Sequence, residues 1–326
     1  MKVIKFFAIT AMAAAMITSC SNEDELSQSN YPSDNIIRVT AGVNNAKTRA
    51  EGAGTEMKKD FSLTIVNKNA PKYTYTDKVF SKSSGDWACS ETLLWQNSET
   101  TVDIAAFAPA QTGKFNGVYA EGSIQPITYS VADDQSTWSD NNDLLYYYAP
   151  GFNPGKSLVD KKLNIQFNHA FCMIDIVVTL GTEFNKPEVL KESPIVKVTL
   201  GGTKIAANVD VTKAASVVTV SETDAATDIT TTKGSFDKAA NAEANAKSHF
   251  SCIAIPQTVA GKTFKVSLMT AGKRYEWTSA EPVELKSGYR YTLNLSMGND
   301  VVLLKGGSIS ATPWTEITSD KPLETD

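Results

Sequence analysis

Histidine is nearly missing from the chain: two residues in 326, with only four cysteines. Little material therefore exists for a histidine-rich metal centre. Positive charge is also short, with 31 lysines and arginines against 36 acidic residues and a net charge of −5. That balance excludes the concentrated basic footprint of a nucleic-acid binder. No apolar run reaches the roughly 18–20 residues that span a bilayer. Gly-x-Ser-x-Gly, His-Glu-x-x-His and Walker-type loops are absent too, so the usual nucleophile, zinc and phosphate signatures are missing. The chain reads as a non-enzyme without a cofactor. What is present suffices for real cores: 42% of residues are hydrophobic, and at roughly 100–200 residues per domain the length fits about two domains.

The few chemically suggestive clusters have plain readings. Asp140-Asn141-Asn142-Asp143 lacks the sixth-position glycine and twelfth-position glutamate of a calcium loop, which leaves a turn before a strand at 144–148. Asp133-Asp134 reads as a surface turn. Cys89, Cys172 and Cys252 show no metal spacing; Cys172 and Cys252 fall on apolar strand faces as small buried residues, and one disulfide among the three stays open. Tyr146-Tyr147-Tyr148 and Trp138 read as alternately buried in core and interface, with a sugar-stacking platform as the competing reading.

Residues 1–20 read MKVIKFFAITAMAAAMITSC. Lys2 and Lys5 precede an apolar core over residues 6–17, a length suited to secretion and too short for a membrane helix. The ending Ile17-Thr18-Ser19-Cys20 resembles a bacterial lipobox, in which the cysteine is acylated and becomes the new N-terminus. Acyl chains contribute about 0.8 kcal/mol per buried CH₂, so lipidated Cys20 would hold the protein to a membrane. The acidic run Glu23-Asp24-Glu25 reads as a solvated tether and resembles a surface-export signal of Bacteroidia-class lipoproteins.

Beyond residue 35 the dominant period is two, the mark of half-buried strands. Ile37, Val39, Ala41 and Val43 share one face. Similar alternation runs through 61–65, 102–108, 264–268 and 289–297, giving an all-β fold of two sandwiches. A hairpin is expected over 196–209, turning at Gly201-Gly202. Between 163 and 180 the apolar parity switches, from Leu163, Ile165 and Phe167 to Ala170, Cys172 and Ile174. A bulge near Asn168-His169 would keep both sets in one core, with His169 structural. Pro187, Pro194 and several charges place the domain boundary at 181–194, with 151–157 as the competing linker. The expected organisation is a signal at 1–19, a tether at 20–35, and domains at 36–181 and 182–326, the second with a long mobile loop at 221–248.

Several segments then converge on a family. Lys47-Thr48-Arg49-Ala50 follows the first strand; Trp138 precedes Asp143-Leu144-Leu145-Tyr146; Phe167-Asn168-His169-Ala170 precedes an apolar strand. Ile255-Pro256-Gln257, Gly288-Tyr289-Arg290-Tyr291 and Ile309 to Trp314 close the pattern. In this order they resemble the fimbrillin-like family, lipoprotein-derived subunits of type V pili. The resemblance implies tandem transthyretin-like, Greek-key sandwiches and an assembly route. An arginine-specific protease would cut between Arg49 and Ala50, removing a first strand within 36–49 that carries Ile37, Val39 and Val43. A strand from another subunit, or from a second copy, would fill the groove; the expected donor segments carry Val301, Leu303, Ile309 and Trp314. Implied surroundings are outer-membrane lipid and other pilus subunits; the alternative, resting on the exposed aromatics, is a surface lipoprotein that binds host or bacterial surface glycans without polymerising. Only twelve residues, mostly polar, follow Trp314, so a tip or accessory subunit stands beside a shaft subunit.

Overall fold

The computed structural model describes residues 30–44, 55–83, 85–110, 123–214, 216–299, 301–304 and 309–314. Period-two segments form strands. The first are β1 (Val39–Val43), β2 (Thr55–Glu56), β3 (Phe61–Val66), β4 (Tyr75–Ser83), β5 (Asp86–Cys89), β6 (Val102–Ala108), β7 (Ile127–Ser130), β8 (Leu145–Phe152) and β9 (Leu163–His169). All of these except β7 join one sheet, ordered β2-β1-β9-β8-β6-β3-β4-β5. The β1–β9 pair is parallel, with Val39 opposite Leu163 and Val43 opposite Phe167. Ile37, Val39, Val43, Phe61, Ile104, Ile165 and Phe167 lie in the core that this sheet encloses. There Phe61 meets Phe167 edge-on at 5.4 Å.

The remaining strands are β10 (Cys172–Leu180), β11 (Ile195–Gly201), β12 (Ala206–Val209), β13 (Val218–Val220), β14 (Ile229–Thr230), β15 (Thr232–Asp237), β16 (Lys247–Ala254), β17 (Thr258–Val259), β18 (Lys265–Thr270), β19 (Arg274–Thr278), β20 (Val283–Glu284), β21 (Tyr289–Met297), β22 (Val302–Leu304) and β23 (Ser310–Pro313). They build a sheet ordered β15-β16-β10-β21-β22, with β23 also on β21, and smaller sheets β14-β11-β18-β19, β13-β12-β7 and β17-β20. Ile174, Ile176, Leu200, Leu268, Leu293 and Leu295 fill a second core between them. The architecture is all-β.

The two cores share a wall. Ile104 and Ala106 of β6 face the first core, while Ala105 and Phe107 face the second. In the same way Leu145, Tyr147 and Ala149 pack on one side of β8, and Leu144, Tyr146 and Tyr148 on the other. Strands covered on both faces need apolar residues at both parities, which accounts for runs such as Val-Asp-Ile-Ala-Ala-Phe-Ala.

Four expectations change. The parity switch is not a bulge within one core. β9 ends at His169, which pairs with Leu145 in the first sheet, and β10 begins at Cys172, which pairs with Ala254 in another. Odd residues thus serve the first core and even residues the second. The 181/182 division consequently falls after a strand whose partners, β16 and β21, both lie beyond it. β7 also reaches forward to pair with β12, so the cores interleave in sequence, and the prolines at 187 and 194 mark a surface turn. Residues 221–248 are no single loop, because β14 pairs with β11 and β15 with β16; β-branched threonines suit such edge strands despite their polarity. Finally, β11 and β12 enter different sheets. Gly202 does have positive φ, at 87°, and a Cβ there would sit 2.1 Å from the Thr263 carbonyl oxygen.

Phe167 is fully buried beneath β9. Phe167→Ala is expected to destabilise the protein by about 3–5 kcal/mol, read as a lower urea midpoint.

Candidate strand-exchange site

The segment before β1 enters along a fixed path. The Arg38 guanidinium pairs with Asp34 at 2.6 Å and holds that carboxyl down to about 2 through their side-chain hydrogen bond. Ile37 N–H donates to the Leu93 carbonyl at 2.9 Å, and Trp95 N–H donates to Asn35 at 2.8 Å. On the opposite edge Leu163 N–H donates to Arg38 at 2.8 Å, and Asn44 N–H donates to Phe167 at 2.7 Å. Farther along, β2 pairs with Gly42 and Val43. Residues 35–44 therefore lie in a slot, between β9 on one edge and residues 93–95 and β2 on the other.

The structure brings Ile37, Val39 and Val43 together, all buried on the slot floor. Each such side chain contributes about 1.5–3 kcal/mol, so the three give at most roughly 5–9 kcal/mol. Cys20, Arg49 and Ala50 lie outside the described residues.

The C-terminal candidates sit on a different sheet. Val301 and Leu303 are 49% and 59% exposed, whereas Val302 between them is buried. The inward parity of β22 is thus the even one, which the sequence pattern did not mark. β22 pairs with the far end of β21 and β23 with its near end. Ile309 is half-buried against the second core, and Trp314 is buried at 7% exposure.

Trp314 also completes a cluster that sequence reading did not assemble. Its ring stacks on His169 at 3.8 Å with planes 13° apart. His169 Nδ1 donates to both carboxylate oxygens of Asp143 at 3.1 Å. Lys59 Nζ lies 3.6 Å from that carboxylate and donates to the Asp140 carbonyl at 3.1 Å. Three segments quoted above, Asp143-Leu144, His169-Ala170 and Trp314, therefore meet where the two cores join. Their shared order along the chain was the available signal. His169 is structural.

Other candidates resolve simply. Tyr146, Tyr147 and Tyr148 are half-buried on alternate sides of β8 and form no platform. Trp138 is 41% exposed, with its indole N–H donating to Asp140 at 2.8 Å. Asp140–Asn142 is a 3-10 turn capped by the Ser139 hydroxyl. Asp133 and Asp134 are exposed, in a turn pinned by buried Gln135, whose side chain bonds both backbone groups of Ile253. Cys89, Cys172 and Cys252 are free thiols; burial pushes the thiols of Cys172 and Cys252 up. Among the described residues no group of three or more potential ligands could hold a metal. Nor is any helix among them long and apolar enough to cross a membrane.

The described strands, packed around two cores with β1 seated between β9 and β2, define a class: all-β proteins of the β-sandwich type. The chain belongs to the fimbrillin-like family, whose model it matches over residues 48–314. Among solved structures it is similar to a candidate cell-adhesion protein of Bacteroides ovatus, at 16% identity and TM-score 0.58, covering 87% of this chain and 99% of that one. A fimbrial protein of Bacteroides vulgatus is 15% identical, with TM-score 0.51 over 86% of this chain and 98% of that one. The tip fimbrial protein Mfa3 of Porphyromonas gingivalis, C-terminally truncated, is 9% identical, with TM-score 0.50 over 86% and 99%. At such identities the likeness is one of fold. No curated protein matches by sequence.

Asp143→Ala leaves Lys59 and His169 without their carboxylate in a buried setting and is expected to cost about 3–5 kcal/mol. Asp140→Ala, at the surface, is expected to cost less than about 1 kcal/mol. Parallel urea titrations compare the two.

Proposed function

We propose that the chain is a structural, adhesive subunit of a cell-surface pilus. In this reading it is exported as a lipoprotein acylated at Cys20, held at the outer membrane, trimmed after Arg49 by an arginine-specific protease, and joined to other subunits or to itself by strand exchange. The observation that carries the proposal is the seating of β1. Ile37, Val39 and Val43 fill the slot, yet β1 connects forward only through residues 44–54, which contain Arg49. Membership in the fimbrillin-like family supports the reading, and the family match begins at Thr48, leaving β1 outside it.

The chemistry of exchange follows from the slot. Losing β1 uncovers the edge of β9 together with Leu163, Ile165 and Phe167, and an unpaired apolar edge recruits another strand. An incoming strand restores the main-chain bonds and supplies alternate apolar side chains. Donation from the C-terminus would require β22 and β23 to leave β21, on which both are seated here. An accepting role needs no such step, so a tip or accessory subunit fits as well as a shaft subunit.

Arg49→Ala should leave folding unchanged while abolishing both the size shift after arginine-specific proteolysis and the ladder of SDS-resistant oligomers. Recovery of full-length polymers from that variant would exclude the cleavage step.

A further inference from the structure

The last strand is anchored in an uneven way. Ser310, Ala311, Thr312 and Pro313 of β23 are all exposed, so their side chains add little by burial. The strand is held by its main-chain pairing with β21, from Thr292 opposite Ser310 to Tyr289 opposite Pro313. Half-buried Ile309 precedes it. Trp314 follows, buried, with its N–H donating to Gly288 at 2.7 Å and its ring against His169. A buried indole in a stacked pair outweighs any other side chain of this segment. Anchoring is thus concentrated in one residue.

The surface under Trp314 is shared with the first strand. His169 is turned by Asp143, and its Nε2 has no partner among the described residues, so the ring is positioned by Asp143, by Trp314 and by the backbone of β9. That backbone is gripped by β1. Val43 stands opposite Phe167, Asn44 N–H donates to the Phe167 carbonyl at 2.7 Å, and Asn44 Nδ2 donates to Asn168 Oδ1 at 2.9 Å. The first and last described strands therefore engage three consecutive residues, Phe167, Asn168 and His169.

We propose that His169 and Trp314 form a latch between the two ends of the chain: β1 steadies the end of β9, β9 presents His169 to Trp314, and loosening β1 loosens β23. The two strands then respond together although they lie in different sheets. When the latch opens, the edge of β21 from Tyr289 to Thr292 becomes available for pairing. The proposal rests on these contacts and not on cleavage at Arg49, so it stands or falls separately from the assembly route.

The test is hydrogen exchange read by mass spectrometry on the full chain, following peptides that cover 309–314 and 172–180, in Val43→Ala, Trp314→Ala and the double variant. Trp314→Ala is expected to speed exchange at 309–314 by roughly tenfold. Val43→Ala should speed the same peptide by roughly threefold, with 172–180 unchanged, and should add nothing once Trp314 is gone, as expected for residues acting through one linkage. Asn44→Ala, which removes only side-chain bonds, gives a smaller acceleration at 309–314 and covers the case in which Val43→Ala unfolds. The latch is overturned if 309–314 keeps its native rate in both the Val43 and Asn44 variants. It is equally overturned if the effects of Val43→Ala and Trp314→Ala multiply independently, or if 172–180 accelerates in step, which reports global opening.

Discussion

The parallel pairing of β1 with β9 is the contact on which the rest of the molecule depends. It joins residues more than a hundred positions apart, closes the first core from above, and covers an edge that could not stay bare in water. The protein treats its edges differently. β15, at the rim of the second core, carries Lys233 and a register break before Phe236, features that discourage further pairing. β9 carries no such guard: Leu163, Ile165 and Phe167 are fully buried beneath it, so its protection is β1 itself. β1 is thus both needed for closure and tied forward by one connection, which is the ground for the proposed replacement.

The shared wall ties the two cores together. β3, β6 and β8 bury side chains on both faces, so distortion of the first core is felt by the second. The cluster of Lys59, Asp143, His169 and Trp314 lies where these layers meet. The Asp143 carboxylate is held by both His169 and Lys59, and such a network keeps a single geometry because a half-made version would strand buried charge.

Much of this was legible in the residues. Strict alternation in 289–297 and in 37–43 marked strands covered on one face, and the family resemblance rested on segments that the structure shows in contact. Other features resisted reading for physical reasons. A strand buried on both sides loses its alternation, so Tyr146-Tyr147-Tyr148 admitted a surface platform beside the favoured alternate burial, and alternate burial is what the structure shows. The parity switch at 168–170 was visible, but a bulge and a passage between cores leave the same trace in sequence. Thr-rich residues 227–232 form edge strands because pairing partners, not composition, decided their state. The inward role of Val302 instead of Val301 and Leu303 depended on a register that no local pattern specifies.

The central claim is that the slot on β9 accepts a strand of matching pattern. The most direct measurement adds an isotope-labelled peptide with the sequence of residues 35–44 to protein cut at Arg49, and follows both peptide uptake and oligomer formation. The account predicts that labelled peptide replaces the original strand and halts assembly, while a peptide with aspartate in place of Val39 and Val43 does neither. Assembly that proceeds undiminished with the peptide bound, or equal uptake of the aspartate peptide, would contradict it.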